Sequence, residues 1–355
     1  MSRSRQAART AQSPDEGPRG RVGIKDVARV AGVSPSTVSN VLNHPERVAP
    51  AKRAQVEQAM RTLGFVRNEA ARYLRTGASR TLGLILLDAW NPFFTEMARG
   101  VEDYAFAQDW AVLVSNSDRR ADRESRYLNV FAERPVDGII IVPHGDPPER
   151  LADLRRQGIP SVLADRRGTG DTTMSVSLDD VGGGQLAVAH LLELGHRDIA
   201  FAGDPTRVTQ VRDRLLGATR ALAAAGRPTQ FTVIETALTM GGGRQVGKQL
   251  VDQPPAARPS AVFASNDLVA IGLLQVLLRH GVRVPEDIAV IGYDDIEFAS
   301  QLAVPLSSVK QPPYAMGHAA AELLIAALTG EPRSENHVVF QPELVVREST
   351  VGTRG

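Results

Sequence analysis

The stretch Val22–Asn43, VGIKDVARVAGVSPSTVSNVLN, constrains the fold more than any other part of the chain. Two short helical patterns flank Ala31-Gly32-Val33. Ile24, Val27, Ala28 and Ala31 make one apolar face, and Val38, Val41 and Leu42 make a second. Gly32 permits the sharp bend between them. Ser34 is a good N-cap residue, and Pro35 follows at the first helical position, where its missing N–H costs nothing. Ser36, Thr37, Ser39 and Asn40 fall on the face that the apolar core does not use. Cap, turn and polar face together predict a helix-turn-helix whose second helix can enter a DNA major groove. An ordinary αα-hairpin requires only the first two.

A third helix is predicted from Pro50 to Leu63. Val56, Met60 and Leu63 fall at i, i+4 and i+7 and close a three-helix core, Gly64 ends the helix, and Lys52, Arg53 and Arg61 stay outward. Asn68–Thr76, NEAARYLRT, follows as a short helix with Asn68 as cap and Gly77 as stop, too short to be helical alone in water. From Arg21 to Thr76 ten basic residues stand against four acidic ones, a net +6. The first twenty residues add +2, so the rest carries −7 beneath an overall charge of +1. A basic head on an acidic body suits phosphate binding at one end, although charge alone does not establish sequence-specific binding.

At 355 residues the chain is too long for one core. No apolar run reaches membrane-spanning length, and the opening MSRSRQAARTAQSPDEGPRG has no apolar stretch of the kind a secretory signal needs. Its Ser, Arg, Pro and Gly content reads as a disordered arm, either inert or weakly attracted to phosphate. The chain has no cysteine, which excludes disulfides and thiolate metal sites and is only a weak pointer to the cytosol.

From Thr81 the pattern alternates. Apolar strands are predicted at Leu82–Leu87, Ala111–Val114, Gly138–Val142, Ser161–Ala164, Ile199–Ala202, Ala261–Ala264 and Ile288–Gly292. Helices separate them, among them Phe94–Gln108, Gln185–Leu194, Arg212–Ala225, Gly243–Val251 and Leu268–His280. Buried strands with helical crossovers mean parallel sheets covered on both faces, here two successive doubly wound lobes. Leu302–Lys310 and a strand at Pro342–Arg347 predict further crossings between lobes near the end. Ligands in such lobes sit at the carboxyl ends of strands, which makes Asp88–Phe94 a candidate wall.

One enzymatic hook is present. Gly182-Gly183-Gly184-Gln185-Leu186-Ala187 fits G-x-G-x-x-A before a helix, with Asp204 about the right distance beyond for a ribose contact. Asp179 and Asp180 stand where they would repel a pyrophosphate, however, and no convincing apolar strand leads into the turn. Gly241–Gly243 lacks the Lys-Ser or Lys-Thr of a triphosphate loop. No metal-ligand spacing and no nucleophile–His–acid set stands out. A non-enzymatic protein with neither cofactor nor metal is expected. A periplasmic-type sugar receptor that kept only the lobes is opposed by the basic helical head and the absent signal segment.

The motifs IKDVARVAGVSPSTVSNVLN, NEAARYLRTGAS, NPFFTEMARGVED, VDGIIIVP, HLLELGHRDIAFAGD, ASNDLVAIGLLQ, VPEDIAVIGYDD and ELVVREST stand in this order. Together they make the chain resemble the lactose-repressor (galactose-repressor) family of bacterial transcription regulators over nearly everything after Arg21. The resemblance implies an all-α helix-turn-helix head and an α/β two-lobed, periplasmic-binding-protein-like core of doubly wound parallel sheets. The expected division is an arm over 1–20, a head over 21–66, a hinge over 67–79 and a core over 80–355. Within the core, lobe one takes about 80–178 and 311–338, and lobe two about 179–310 and 339–355. The implied partners are double-stranded operator DNA, a sugar-like effector and a second copy of the chain, in the cytoplasm at the nucleoid. The absence of a terminal leucine heptad favours a dimer over a tetramer.

Carried over residue by residue, Pro35, Ser36 and Asn40 fall at positions that read base edges, with Thr37 and Ser39 near phosphates or bases. Asn40 stands where an Arg is frequent, and so favours adenine over guanine. Ala49 stands where Ser is common, removing a cap and a phosphate contact. Leu74 matches a leucine pushed into the minor groove, with small Ala70 and Ala71 allowing close approach. In the core, Phe93 and Phe94 match aromatic effector contacts, and Arg214, Asn266 and Asp294 match hydroxyl-binding positions. Asp165 is a further candidate, with loop capping as its alternative. Asp267 reads as a helix N-cap and His144 as structural, while Trp90 either stacks on ligand or packs. Val208, Gln210 and Ala237 at the purine-contact positions argue against a nucleobase.

Overall fold

The computed structural model describes residues 22–65, 79–134, 136–146, 149–170, 173–226, 228–332 and 335–352. The predicted arm and, apart from Ser79, the predicted hinge, with Ala71 and Leu74, lie outside them. The chain divides into a unit ending at Arg75 and a unit beginning at Thr76.

The first unit holds α1 (Ile24–Val30), α2 (Pro35–Asn43) and α3 (Pro50–Leu63). Gly32 at φ +58° makes the turn after α1, and Gly64 at φ +61° ends α3. Both lie in the left-handed region that glycine enters at little cost. Val27, Ala28, Ala31, Val38, Val41, Val56 and Ala59 form the core, with Leu42, Met60 and Leu63 packed at its rim. Ile24 differs from expectation: it is 37% exposed, because α1 is short and its first residue overhangs the packed face.

The second unit contains two six-stranded sheets. Its first half runs β1 (Thr81–Leu86), α4 (Pro92–Ala107), β2 (Ala111–Asn116), α5 (Ala121–Glu133) and β3 (Gly138–Ile141), then α6 (Arg150–Arg156), β4 (Ser161–Ala164) and β5 (Met174–Leu178). The chain then crosses to the other sheet. There it forms α7 (Asp180–Glu193), β6 (Asp198–Gly203), α8 (Thr209–Ala225), β7 (Gln230–Glu235) and α9 (Met240–Val251). It continues with β8 (Ala261–Ala264), α10 (Asp267–Arg279), β9 (Ala289–Asp294) and β10 (Ser307–Lys310). A second crossing leads to α11 (Pro313–Thr329) and β11 (His337–Phe340), and a third to β12 (Glu343–Val345) and α12 (Glu348–Val351).

The sheet orders are β11-β5-β4-β3-β1-β2 and β12-β10-β9-β8-β6-β7. All pairings are parallel except β10 with β12. Central strands such as β3, GIII, are wholly buried, as helices on both faces require. The structure is thus a helical head and two doubly wound lobes joined by three crossings.

Paired glycines let helices approach backbone to backbone. A Cβ on Gly184 of α7 would lie 2.0 Å from the Arg214 carbonyl oxygen of α8, and one on Gly217 of α8 equally close to the Val181 carbonyl oxygen of α7. Gly243 and Gly272 repeat the arrangement between α9 and α10. Small residues at both contacts remove the side-chain layer that normally separates packed helices.

A polar recognition helix and a cleft between the lobes

On α2 the Ser34 hydroxyl accepts from the Thr37 amide at 3.2 Å and is hydrogen-bonded to the hydroxyls of Ser36 (2.7 Å) and Thr37 (2.9 Å). The N-cap thereby orients the two hydroxyls that follow it. Pro35, Ser36 and Asn40 are exposed, and Thr37 and Ser39 half-buried. Asn43 donates to the Ser39 carbonyl at 2.7 Å and bonds its hydroxyl at 3.2 Å. Ala49 starts α3 with no side-chain cap.

The cleft lies where strand ends of the two lobes face each other. Phe93, Phe94, Asp165, Arg214, Asn266 and Asp294 all line it, around a space of about 450 Å³ that includes some open solvent. Asn91 caps α4 by accepting from the Phe93 amide at 3.1 Å, which sets Phe93 and Phe94 at the cleft wall. Their rings meet edge-to-face, centroids 5.0 Å apart. Asn266 caps α10, accepting from the Val269 amide at 2.9 Å. Asp294, ending β9, adopts φ +111°.

Arg214 is the electrostatic centre. Its Nε donates to Asp180 Oδ1 at 2.8 Å and its Nη1 to the Ser265 carbonyl at 2.7 Å. Asp294 Oδ1 lies 3.9 Å away, and the guanidinium stacks 3.6 Å from the Tyr293 ring centre. Burial alone works against its charge, but Asp180, Tyr293, Asp294 and Asp165 outweigh that and hold it cationic. Burial pushes the Asp294 carboxyl up to about 6, despite Arg214 and hydrogen bonds from Asn91 (3.2 Å) and Gln311 (2.8 Å). Burial, and then Asp180, pushes Asp165 well above the usual carboxylate range. Asp165 Oδ2 accepts from Gln210 at 3.1 Å. Its Oδ1, and Oε1 of Gln311, have no hydrogen-bond partner among the described residues.

Among the described residues, side-chain hydrogen bonds between the lobes include Asn91–Asp294, Gln311–Asp294, Gln210–Asp165, Arg119 to the Leu238 carbonyl at 3.0 Å, and Arg166 to the Thr209 hydroxyl. Arg119 also lies 3.4 Å from Asp88. The candidate wall Asp88–Phe94 does supply Asp88, Asn91, Phe93 and Phe94 to the cleft, whereas sequence reasoning did not nominate Arg119 or Gln311. Asn91 was included only as part of that wall, without a role of its own, and nothing flagged Arg119, which sits at φ +55° in a loop.

Several readings are corrected. Asn266, not Asp267, caps α10; Asp267 instead accepts from the Ile296 amide (2.8 Å) and the Ser308 hydroxyl (2.7 Å), tying the ends of β9 and β10. Trp90 is 84% exposed and does not line the cleft, so it does not pack. A buried strand, β5, does lead into Gly182–Gly184. Those glycines nevertheless open α7, with Asp179 accepting from the Gly182 amide at 2.9 Å, and Gly183 and Gly184 are packed against Tyr293 and Arg214. The space a pyrophosphate would need is filled by protein. Among the described residues no group of three or more His, Asp or Glu is placed to hold a metal, and no helix is long and apolar enough to cross a membrane.

Comparison with known proteins gives concordant matches. Residues 23–68 match the model for bacterial regulatory proteins of the lacI family, and 188–350 that for a periplasmic binding protein-like domain. The chain is 34% identical to the ribose operon repressor of Escherichia coli (strain K12) over 329 residues, 92% of this chain and 99% of that protein. It is 32% identical to the HTH-type transcriptional repressor PurR of Aliivibrio fischeri (strain MJ11), over 92% of this chain and 98% of that protein. It also superposes on the lac repressor dimer bound to operator and the anti-inducer ONPF, with TM-score 0.80 and 26% identity, over 94% of this chain and 100% of that one. The chain belongs to the lacI family of bacterial regulatory proteins: it is a transcriptional regulator with a DNA-binding helix-turn-helix head.

Proposed function

We propose that this protein is a homodimeric transcriptional repressor whose operator binding is set by a sugar or sugar derivative held between the core lobes. The observation that carries the ligand class is the pair of unpartnered buried oxygens, Asp165 Oδ1 and Gln311 Oε1, on the same cleft as Arg214 and Asp294. Unmade buried hydrogen bonds are expensive, so the complementary ligand carries groups that both donate and accept. Arg214 keeps N–H groups beyond those used on Asp180 and Ser265, and a ring hydroxyl both donates and accepts. Phe94 offers a flat apolar wall for the less polar face of a sugar ring. A nucleobase is less well served: Gln210, one of the side chains available for its edges, is already committed to Asp165.

In the reading that follows, α2 enters the major groove with Pro35, Ser36 and Asn40 at base edges and Thr37 and Ser39 near the backbone. Basic side chains of the head supply salt-dependent affinity for phosphates. Ligand binding alters the bonds that tie the lobes, changing the separation of the two hinges in a dimer. Asn68–Thr76, with Ala71 and Leu74, then folds onto the operator centre in one state only. The ligand shifts that balance by no more than its difference in affinity for the two states. The protein acts without catalysis and works at the nucleoid in the cytoplasm. Thermal-shift measurements against pentoses, hexoses and nucleobases test the ligand class: saturable stabilisation by a sugar, lost in Phe94→Ala, is expected. Stabilisation by a nucleobase alone would replace the reading.

A further inference from the structure

Beside the effector cleft, and sharing Asp165 and Gln210 with it, lies a second hollow of about 880 Å³, partly open to solvent. Its walls come from the ends of β4 and β5, the first turn of α8, and the chain around Val339 and Gln341 where β11 crosses over. Ser177 lines this hollow and not the effector cleft. It is 3% exposed, yet its hydroxyl has no hydrogen-bond partner among the described residues. Ser175, two residues earlier and therefore on the same face of β5, bonds His337 at 2.8 Å. One serine of this strand face is satisfied, and the next, on the wall of the hollow, is left without a partner among the described residues. Asp165, 5% exposed, adds its unpartnered Oδ1 on the wall common to both spaces.

The surrounding charges narrow the chemistry. Two of the hollow's ionic groups are already spent: Arg166 on Asp146 (2.9 Å), the Gly145 carbonyl (2.9 Å) and Thr209, and Asp180 on Arg214 (2.8 Å). Asp179 gives one oxygen to the Gly182 amide. Among the described residues Asp213 has Arg212, 3.9 Å away, as its one ion-pair partner. What is left over is carboxylate capacity on Asp179 and Asp213, beside the Ser177 hydroxyl and the unpartnered Oδ1 of Asp165, against the exposed Arg167. These side chains do not form a metal-holding group. An ammonium group, with three donors and one charge, fits such a set.

We propose that this hollow is a second ligand site, for a small organic cation carrying primary ammonium groups. Its occupancy is coupled to the effector cleft. A cation facing Asp165 favours the carboxylate whose other oxygen holds Gln210 across the lobes, so it favours the closed arrangement and tightens effector binding. Linkage makes the effect reciprocal.

Titration of the full-length protein with 1,4-diaminobutane, followed calorimetrically at low ionic strength without DNA or sugar, tests the site directly. Saturable binding at one site per chain is expected, weakened tenfold or more in Ser177→Ala and in Asp213→Asn. Xylitol and inorganic phosphate are expected not to bind there. Phe94→Ala, at a residue that lines the effector cleft and not the hollow, is expected to bind the diamine as the parent does. The result is independent of whether a sugar is the effector. Absent saturation, binding indifferent to both Ser177→Ala and Asp213→Asn, or loss in Phe94→Ala would each overturn the proposal. Binding of xylitol or phosphate with the same dependence on Ser177 would overturn the ligand class.

Discussion

The side-chain amide of Asn91 donates to the carboxylate of Asp294 across the cleft at 3.2 Å, joining the first turn of α4 in one lobe to the end of β9 in the other. The same Asn91 caps α4 and thereby places Phe93 and Phe94. One residue therefore couples the aromatic wall to the polar end of the site. Asn91→Ala is expected to lower thermal stability by about 1 kcal/mol through the lost cap. It should weaken effector affinity further than that loss implies, since both the lobe contact and the aromatic wall are disturbed. Calorimetric titration beside a melting curve checks the split; unchanged affinity with lowered stability would leave Asn91 a helix cap only.

Asp294 also predicts a pH dependence. Burial raises its carboxyl from the ordinary 3.8 to about 6, with Arg214, Asn91 and Gln311 opposing the shift and Asp180 adding to it. Between these values the folded protein retains a proton that the unfolded chain releases. Stability contributed by this group therefore falls as pH rises through the window, and the loss is complete above about 6. Melting curves of the parent and Asp294→Asn measured across that range should show the parent gaining on the variant as pH falls. A difference that stays constant with pH would contradict the assignment.

Arg214 invites a simple test that the structure complicates. It neutralises buried Asp180 and bonds the Ser265 carbonyl, so Arg214→Ala leaves a carboxylate unpaired in the interior. Breaking a buried ion pair from one side costs about 3–5 kcal/mol. The double variant Arg214→Ala/Asp180→Asn removes the stranded charge and is expected to recover part of that stability while remaining unresponsive to effector. Denaturant unfolding of the single and double variants measures the recovery; equal stability of the two would show that the pair is not the source of the loss.

At the head, exposed Asn40 is the residue whose replacement should change what is read. An Asn contacts adenine through its N6 and N7 edge, an Arg guanine through O6 and N7, and each such pair contributes about 1–3 kcal/mol of discrimination. Asn40→Arg should move the preference at one base of each half-site from adenine to guanine, without altering non-specific affinity by more than the added charge allows. Selection of duplexes from a random pool by both proteins checks this; identical half-sites would remove Asn40 from base reading.

Much of this was legible before any coordinates. Strands β4 and β8 fall where their apolar runs place them, because buried parallel strands carry little but apolar side chains. Strand β5, MSVSL, escaped notice because its two serines break the run, one satisfied by His337 and one facing a cavity. The edge strand β7, QFTVIE, is mostly exposed on both faces and carries no burial pattern. The starts of α7 and α9 were read several residues late. Their first turns are glycine-rich, which sequence reads as loop and the structure uses for close helix contact. In the cleft, residues on recognisable helix and strand ends were found, whereas Arg119 and Gln311 reach it from segments with no pattern of their own. The exchange of roles between Asn266 and Asp267 turns on which of two adjacent polar side chains faces the helix start, and composition does not encode that.

The central claim is that a DNA-reading head answers to a sugar caught between the lobes. The most direct measurement is the affinity of the full-length protein for a duplex it has itself selected from random DNA, with and without D-ribose and related sugars. A change of tenfold or more with one of them, equivalent to about 1.4 kcal/mol of coupling, is predicted, together with its loss in Phe94→Ala. Failure to prefer any duplex over random DNA, whichever sugar is added, would contradict the account.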